Sequence, residues 1–401
     1  MVLQKIEEIL GERGKHIGIA SHFDLIAGTS TGGLIGLALA SPIDRINLDF
    51  TDQELQDEEE RQNKPRFTPS HLKDMYKTHL QSNKRLSESL DSESVVLMHE
   101  SEEPLQNPKI PGSRKSLRVR TSLMQRLRKY LSEHKMSKKD LGKTNYIDLS
   151  KILYLYENRG EDIFPKSAFR QLQSITQVFS DKYSVRSFET ILNHIFGDMT
   201  IHEAETPVLV VTYDCYSGKP YIISSAGDDH YYMRDAARAT SAAPTYFPAL
   251  LVTPLNRKDD LHYLIDGGVA ANNPSLLAYL EAKKLYPDAS HYHILSLGTA
   301  SKKFSLSIDQ ISHGGVVSWL DPVKGTPLYS VMRSSQSEIT DYTLQSLPDV
   351  SYYRINGIIK QKHVKLDDAS KENITILKVV GNKMIEEYQQ ELHDFCDLLP
   401  H

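Results

Sequence analysis

With 401 residues, 39% of them hydrophobic and 25% charged, the chain has ordinary globular usage and enough apolar mass for one large core or two modest ones. A net charge of −5 supplies no overall cationic field for nucleic acid phosphates, so no nucleic-acid partner is expected, and attraction to an anionic surface has to come from a local patch. Cys215 and Cys396 are too few for a disulfide framework and lack the close spacing of a zinc site, and no run reaches the eighteen or so apolar residues that span a bilayer.

The opening MVLQKIEEIL carries Gln, Lys and Glu in place of an apolar signal core. A cytoplasmic or peripheral-membrane location is therefore expected, with secretion by a signal-peptide-independent route left open. Leu3, Ile6, Ile9 and Leu10 share one helical face, His22–Gly28 reads as a short buried strand, and Thr31–Ala40 as a buried helix of small and aliphatic residues. Residues 49–60 are acidic. From about 82 to 145 the chain turns Ser-rich and polar, broken by Pro104, Pro108 and Pro111, which predicts an insertion that is partly disordered. Helical signals return from Ile147 to Phe196, followed by strand-like runs at Val208–Tyr213, Tyr221–Ser225, Leu261–Ile265 and His293–Leu297. The tail holds Trp319, a mixed polar stretch and a packing helix from about Lys371 to Leu398. Strands mixed with helices predict an α/β fold with a largely parallel sheet.

Gly28-Thr29-Ser30-Thr31-Gly32 is a G-x-S-x-G sequence, and the pentapeptide alone turns up by chance in about one chain of this size in ten. Its setting between an apolar strand and a small-residue helix gives it mechanical meaning: a strained turn would expose the Ser30 hydroxyl at the positive end of the helix. Gly28 and Gly32 are expected because side chains there would collide with the neighbouring strand and helix, Gly33 extends the elbow, and the Thr31 amide is one oxyanion donor.

A serine hydroxyl needs a base. Asp266, in Leu264-Ile265-Asp266-Gly267-Gly268, follows a strand and precedes two glycines that let the backbone turn sharply; position alone leaves a loop-capping role equally open. The competing Ser-Asp-His order would draw on His291, His293 or His313. The first two read as structural or exposed beside a strand, and His313 sits in a loop; a His-dependent triad is disfavoured.

The stretch FDLIAGTSTGGLIGLALA resembles the nucleophile elbow of patatin-like phospholipases, and LIDGGVAANNPS their aspartate motif. PVLVVTYD, ARATSAAPTYFPA and ILSLGT resemble the family's intervening strands and loops in the family's order, so that the likeness covers residues 1 to about 300 outside the insertion. The resemblance implies a three-layer sandwich with a central mostly parallel sheet and helices on both faces. Residues 1–279 would form the hydrolase domain, interrupted at about 82–145, and 280–401 the C-terminal part of the same fold. It also implies a Ser30/Asp266 dyad without histidine, an acyl-enzyme intermediate, phospholipid or related glycerolipid substrates, and no metal or other cofactor. A catalytically impaired lipid-binding or scaffold protein is the alternative.

The family also carries an Asp-Gly-Gly-Gly-x-Arg loop before the first helix, whose amides hold the oxyanion, and this sequence has no counterpart to it. Removal of one oxyanion donor typically costs about a hundredfold to a thousandfold in rate. Two explanations follow: a start placed too late, which the persistence of Ser30 and Asp266 favours, or a degraded copy. Within the insertion, residues 109–143 hold a basic cluster that includes Arg114, Lys115, Arg118, Arg120, Arg126 and Arg128, with Leu123, Leu127, Tyr130 and Leu131 on one helical face. Such a segment is a candidate peripheral membrane contact, against the readings of a solvated linker or a partner for the acidic stretch. Nothing in the sequence fixes an oligomeric state.

Overall fold

The computed structural model describes residues 1–15, 18–49, 51–61, 147–160, 185–302, 319, 327–359 and 368–399. The expected insertion at 82–145, its basic cluster and His313 lie outside the described residues.

Helix α1 (Val2–Glu12) buries Ile6, Ile9 and Leu10 on one face, as the spacing predicts. A 3-10 turn at Ile19–His22 leads to strand β1 (Ile26–Thr29) and helix α2 (Thr31–Ala40). The strand is shorter than the apolar run His22–Gly28 suggests because its partner begins only at Pro207. The Ile26 amide donates to the Pro207 carbonyl, and the register starts at Ile26 opposite Val208. Helix α3 (Asp52–Arg61) carries the acidic stretch, and α4 (Leu149–Asn158), N-capped by Asp148 on the Ser150 amide, is followed by α5 (Arg186–Phe196).

Strand β2 (Val208–Asp214) has the sequence VLVVTYD, rich in β-branched residues and buried almost throughout, which is the signature of a central strand. Strand β3 (Lys219–Ser224) pairs antiparallel along Leu209–Asp214 and fills one edge of β2. Helix α6 (Met233–Thr240) packs on β2 and α2 through Ala236, Ala237 and Ala239, all fully buried; their small side chains allow close approach. Strands β4 (Leu250–Val252) and β5 (His262–Asp266) then form an antiparallel pair.

The second edge of β2 is shared. Strand β1 lies parallel to Val208–Val211, and β5 lies antiparallel to Thr212–Asp214. The C-terminal ends of β1 and β5 therefore meet head to head, with Thr29 opposite Val211 and Asp266 opposite Thr212.

Beyond β5 come α7 (Ser275–Leu285), β6 (Tyr292–Leu297), β7 (Ser301–Lys302), α8 (Pro327–Ser346), β8 (Val350–Ile355), β9 (Ile358–Ile359), α9 (Lys371–Glu387) and α10 (Gln389–Leu398). Strands β6 and β8 pair in parallel, as do β7 and β9. The expected α/β class holds, with a mixed main sheet and helices packed against it.

Two readings of the tail change. The mixed polar stretch contains a twenty-residue helix and a strand, and the single helix expected over Lys371–Leu398 breaks at Tyr388, whose ψ of 22 lies off the helical value. Helix α8 is docked by long-range hydrogen bonds. Its Asp341 accepts from Asn273 Nδ2 (2.8 Å) and from the Tyr352 hydroxyl (2.5 Å). At the other end of the fold, buried Lys15 donates to the carbonyls of Cys396 (3.2 Å) and Leu399 (2.6 Å), placing a cation at the C-terminus of α10. No helix among the described residues is long and apolar enough to cross a membrane.

Candidate active site

Ser30 occupies the turn between β1 and α2 with φ 55 and ψ −129, a conformation that residues other than glycine seldom adopt. Two neighbours hold it there. The Ser30 amide donates to Thr240 Oγ1 (2.9 Å), whose own hydroxyl donates to the Val211 carbonyl (2.7 Å). The Ser30 carbonyl accepts from the Gly33 amide (2.9 Å), closing the first turn of α2. Ser30 Oγ then points at the other strand end and donates to Asp266 Oδ2 at 2.6 Å.

Asp266 is 5% exposed, and its second oxygen accepts from the Gly268 amide at 2.7 Å. Burial pushes its carboxyl above the ordinary carboxylate range, while the Ser30 hydroxyl, the Gly268 amide and the charge of Arg333 pull it back down. A carboxylate so placed holds a proton more readily than a solvated one and still accepts a hydrogen bond from the hydroxyl. The loop that follows is tied to the elbow, since Thr29 Oγ1 donates to the Ala271 carbonyl at 2.9 Å. Asn273 Nδ2 anchors it further on, donating to Asp341 and to Tyr352 (3.0 Å).

The first-turn amides of a helix have no intrahelical acceptor, and no side chain caps α2. The Thr31 amide, next to Ser30, therefore has no acceptor among the described residues. Gly28 and Gly267 are steric requirements. A Cβ at Gly28 would lie 2.3 Å from the Gly32 carbonyl oxygen, and one at Gly267 would lie 2.2 Å from that of Val211. The expectation for Gly32 is corrected: a Cβ there would meet nothing within 4 Å, and it is at Gly33 that a Cβ would collide, 2.7 Å from the Thr240 methyl. The glycine that α6 requires is the one facing β2, one position beyond the motif. Gly268 supplies its amide to Asp266 instead of close packing, a Cβ there falling 3.1 Å from Asp266 Oδ1.

Of the histidines of the competing triad, the two described ones lie elsewhere. His291 Nε2 meets Ser351 Oγ at 2.8 Å, its ring lies 4.9 Å from that of His293, and neither is hydrogen-bonded to Ser30 or Asp266. Three residues join the site that the sequence did not single out for a role: Thr240, and Arg333 and Gln336 of α8. Gln336 Nε2 donates to the Val269 carbonyl (3.2 Å) on the turn after Asp266. Thr240 lies inside a segment that already resembled the family; the α8 pair sits in a polar stretch with no local signal. If Asp266 must be ionised to act, activity falls as pH drops through its folded pKa. Replacing Arg333 by Gln removes a charge that favours the ionised form, so the acid limb of kcat/KM against pH is expected to move to higher pH.

Residues 6–279 match the patatin-like phospholipase family. Patatin-like protein 2 of Arabidopsis thaliana is 29% identical over 253 residues, 56% of this chain and 62% of that protein. Patatin-like protein 1 of Oryza sativa subsp. indica is 28% identical over 268 residues, 59% and 64% of the two chains. A Solanum tuberosum protein named "Probable inactive patatin-3-Kuras 1" is 25% identical over 284 residues, 62% and 73%. The chain spans less than two thirds of the length of the first two relatives. With the matched segment holding both motifs and more than half of the sequence, the chain belongs to the patatin-like phospholipase family.

Proposed function

We propose that this protein hydrolyses acyl esters of phospholipids or related glycerolipids, with Ser30 as nucleophile and Asp266 as its base. The observation that carries the reading is the 2.6 Å hydrogen bond from a hydroxyl on a positive-φ turn to a buried carboxylate of raised proton affinity. Ser30 Oγ attacks the ester carbonyl carbon while its proton passes to Asp266. The tetrahedral oxyanion takes a hydrogen bond from the Thr31 amide at the positive end of α2. Collapse breaks the bond to the lipid alcohol, which leaves with the proton from Asp266, and a water activated by the same carboxylate then frees the fatty acid from Ser30. Residues 280–401 are read as part of the same fold, because α9 and α10 pack on α1.

A fluorophosphonate probe tests the reading without knowledge of the natural lipid. It is expected to label the native chain and to leave Ser30→Ala unlabelled; a folded native chain that the probe leaves unmarked would refute it. That outcome would select a lipid-binding protein without turnover, a reading favoured by the relative whose name includes "inactive".

A further inference from the structure

Helix α8 bears an exposed apolar line. Leu328, Met332, Ile339 and Tyr342 are 42%, 53%, 64% and 75% exposed. At 3.6 residues per turn they fall within roughly 40° of one line along the helix, with Ser335 between them and no charged residue on it. Large apolar side chains this exposed and this aligned are unusual unless the face meets something.

Another face of the same helix borders the Ser30/Asp266 pair. Gln336 Nε2 is bonded to Val269 O, three residues after Asp266. Arg333, one turn earlier on that side, has no hydrogen bond or ion pair among the described residues, and its charge acts on Asp266 from a distance. Between the apolar line and Arg333 stands Tyr329, 43% exposed. Passing round the helix from the line toward the site, the surface thus runs from largely apolar, through the Tyr329 phenol, to the Arg333 cation. That order matches the acyl, interfacial and phosphate layers of one leaflet, and the whole helix with its side chains is only about 10–12 Å across.

We infer that α8 seats the active site on a phospholipid bilayer, its apolar line entering the acyl region and Arg333 meeting a lipid phosphate on the flank next to Ser30. The inference rests on the acyl hydrolase reading for its choice of occupant. A protein partner would bury the apolar line equally well, yet it gives no account of the order from apolar line through Tyr329 to Arg333 on the side of the helix next to Ser30 and Asp266.

The test uses the full chain carrying Ser30→Ala, so that lipid is bound without being consumed, and vesicles of equimolar phosphatidylcholine and phosphatidylglycerol. Co-sedimentation is expected, and adding Met332→Glu with Ile339→Glu should weaken it by roughly tenfold or more. With Ser30 intact, the same double change should lower the ratio of vesicle-lipid to soluble-ester hydrolysis. Tyr342→Trp leaves the helix face apolar, and with the native Trp319 replaced by Phe it supplies a single fluorophore, whose emission should shift to the blue when vesicles are added. The inference is overturned if the double variant binds vesicles as the parent does, or if the emission of the tryptophan introduced on α8 stays unshifted. It is overturned as well if the line holds two copies together, seen as a dimer in sedimentation that the double variant splits. Binding is read on a chain that cannot turn over, so loss of the hydrolase reading would show separately, as an unreactive native chain on a soluble ester.

Discussion

Asp266→Asn is expected to lower kcat/KM for an ester by about 10⁴-fold, the upper range for loss of a general base, while the folded chain stays as stable as the native one or becomes more so. The two halves of this result have one cause. The native carboxylate is buried with its charge opposed by desolvation, and the amide keeps both contacts in neutral form: its oxygen accepts from the Gly268 amide, and its nitrogen faces the Ser30 hydroxyl. The sign of the pH dependence follows. A carboxyl whose folded pKa lies above its unfolded value adds stability that is fully present below the unfolded pKa and is lost as pH rises through the folded pKa. Activity on the proposed mechanism needs the ionised form and is expected to run the opposite way over the same window. Thermal melts from acid to neutral pH, with and without the substitution, measure the stability half; initial rates on a soluble ester measure the other. A variant that loses stability in step with activity would make Asp266 a structural cap and leave Ser30 without a base.

The second large effect separates two glycines of one motif. Gly28→Ala forces a methyl to within 2.3 Å of the Gly32 carbonyl oxygen and 2.5 Å of the Gly33 Cα, and these are backbone atoms that cannot swing aside. Strand β1 and helix α2 would have to part, at a cost of about 3 kcal/mol or more, and Ser30 would leave its place opposite Asp266. Gly32→Ala meets nothing within 4 Å, so the gain in helix propensity is unopposed and stability should rise by up to about 1 kcal/mol. Urea midpoints of the two variants make the comparison directly. Equal destabilisation by both would mean that the elbow does not pack as described.

The sequence made the pairing of Ser30 with Asp266 legible because each motif carries its local setting, a strand end followed by a glycine turn, within a few residues of itself. The glycine assignment failed for the opposite reason. Whether Gly32 or Gly33 faces a crowded wall depends on the Thr240 methyl and Val210, which reach the elbow from α6 and β2. Nothing in the pentapeptide states which side of α2 those elements will cover. The same limit hid Arg333 and Gln336. Helix α8 is held by Asp341, Asn273 and Tyr352, a polar docking that apolar periodicity does not register. Strand β1 was overextended for a related reason, since its apolar run continues upstream of the point where a partner begins.

The meeting of β1 and β5 on one edge of β2 makes that strand a ruler for the chemistry. Ser30 and Asp266 stand 236 positions apart along the chain, yet their spacing is fixed by two adjacent rungs, Val211 and Thr212. A slip of one rung by β5 would carry the carboxylate about 3.4 Å along β2 and turn it to the opposite face of the sheet, ending contact at a stroke. The length of the loops between the two motifs enters this geometry only through closure entropy, which grows by about 0.6 kcal/mol per doubling. Lineages of this fold are thus free to lengthen, trim or rewrite the loops between the two motifs, and so to acquire new addresses and partners, without retuning the pair, so long as β2 and Thr240 are kept.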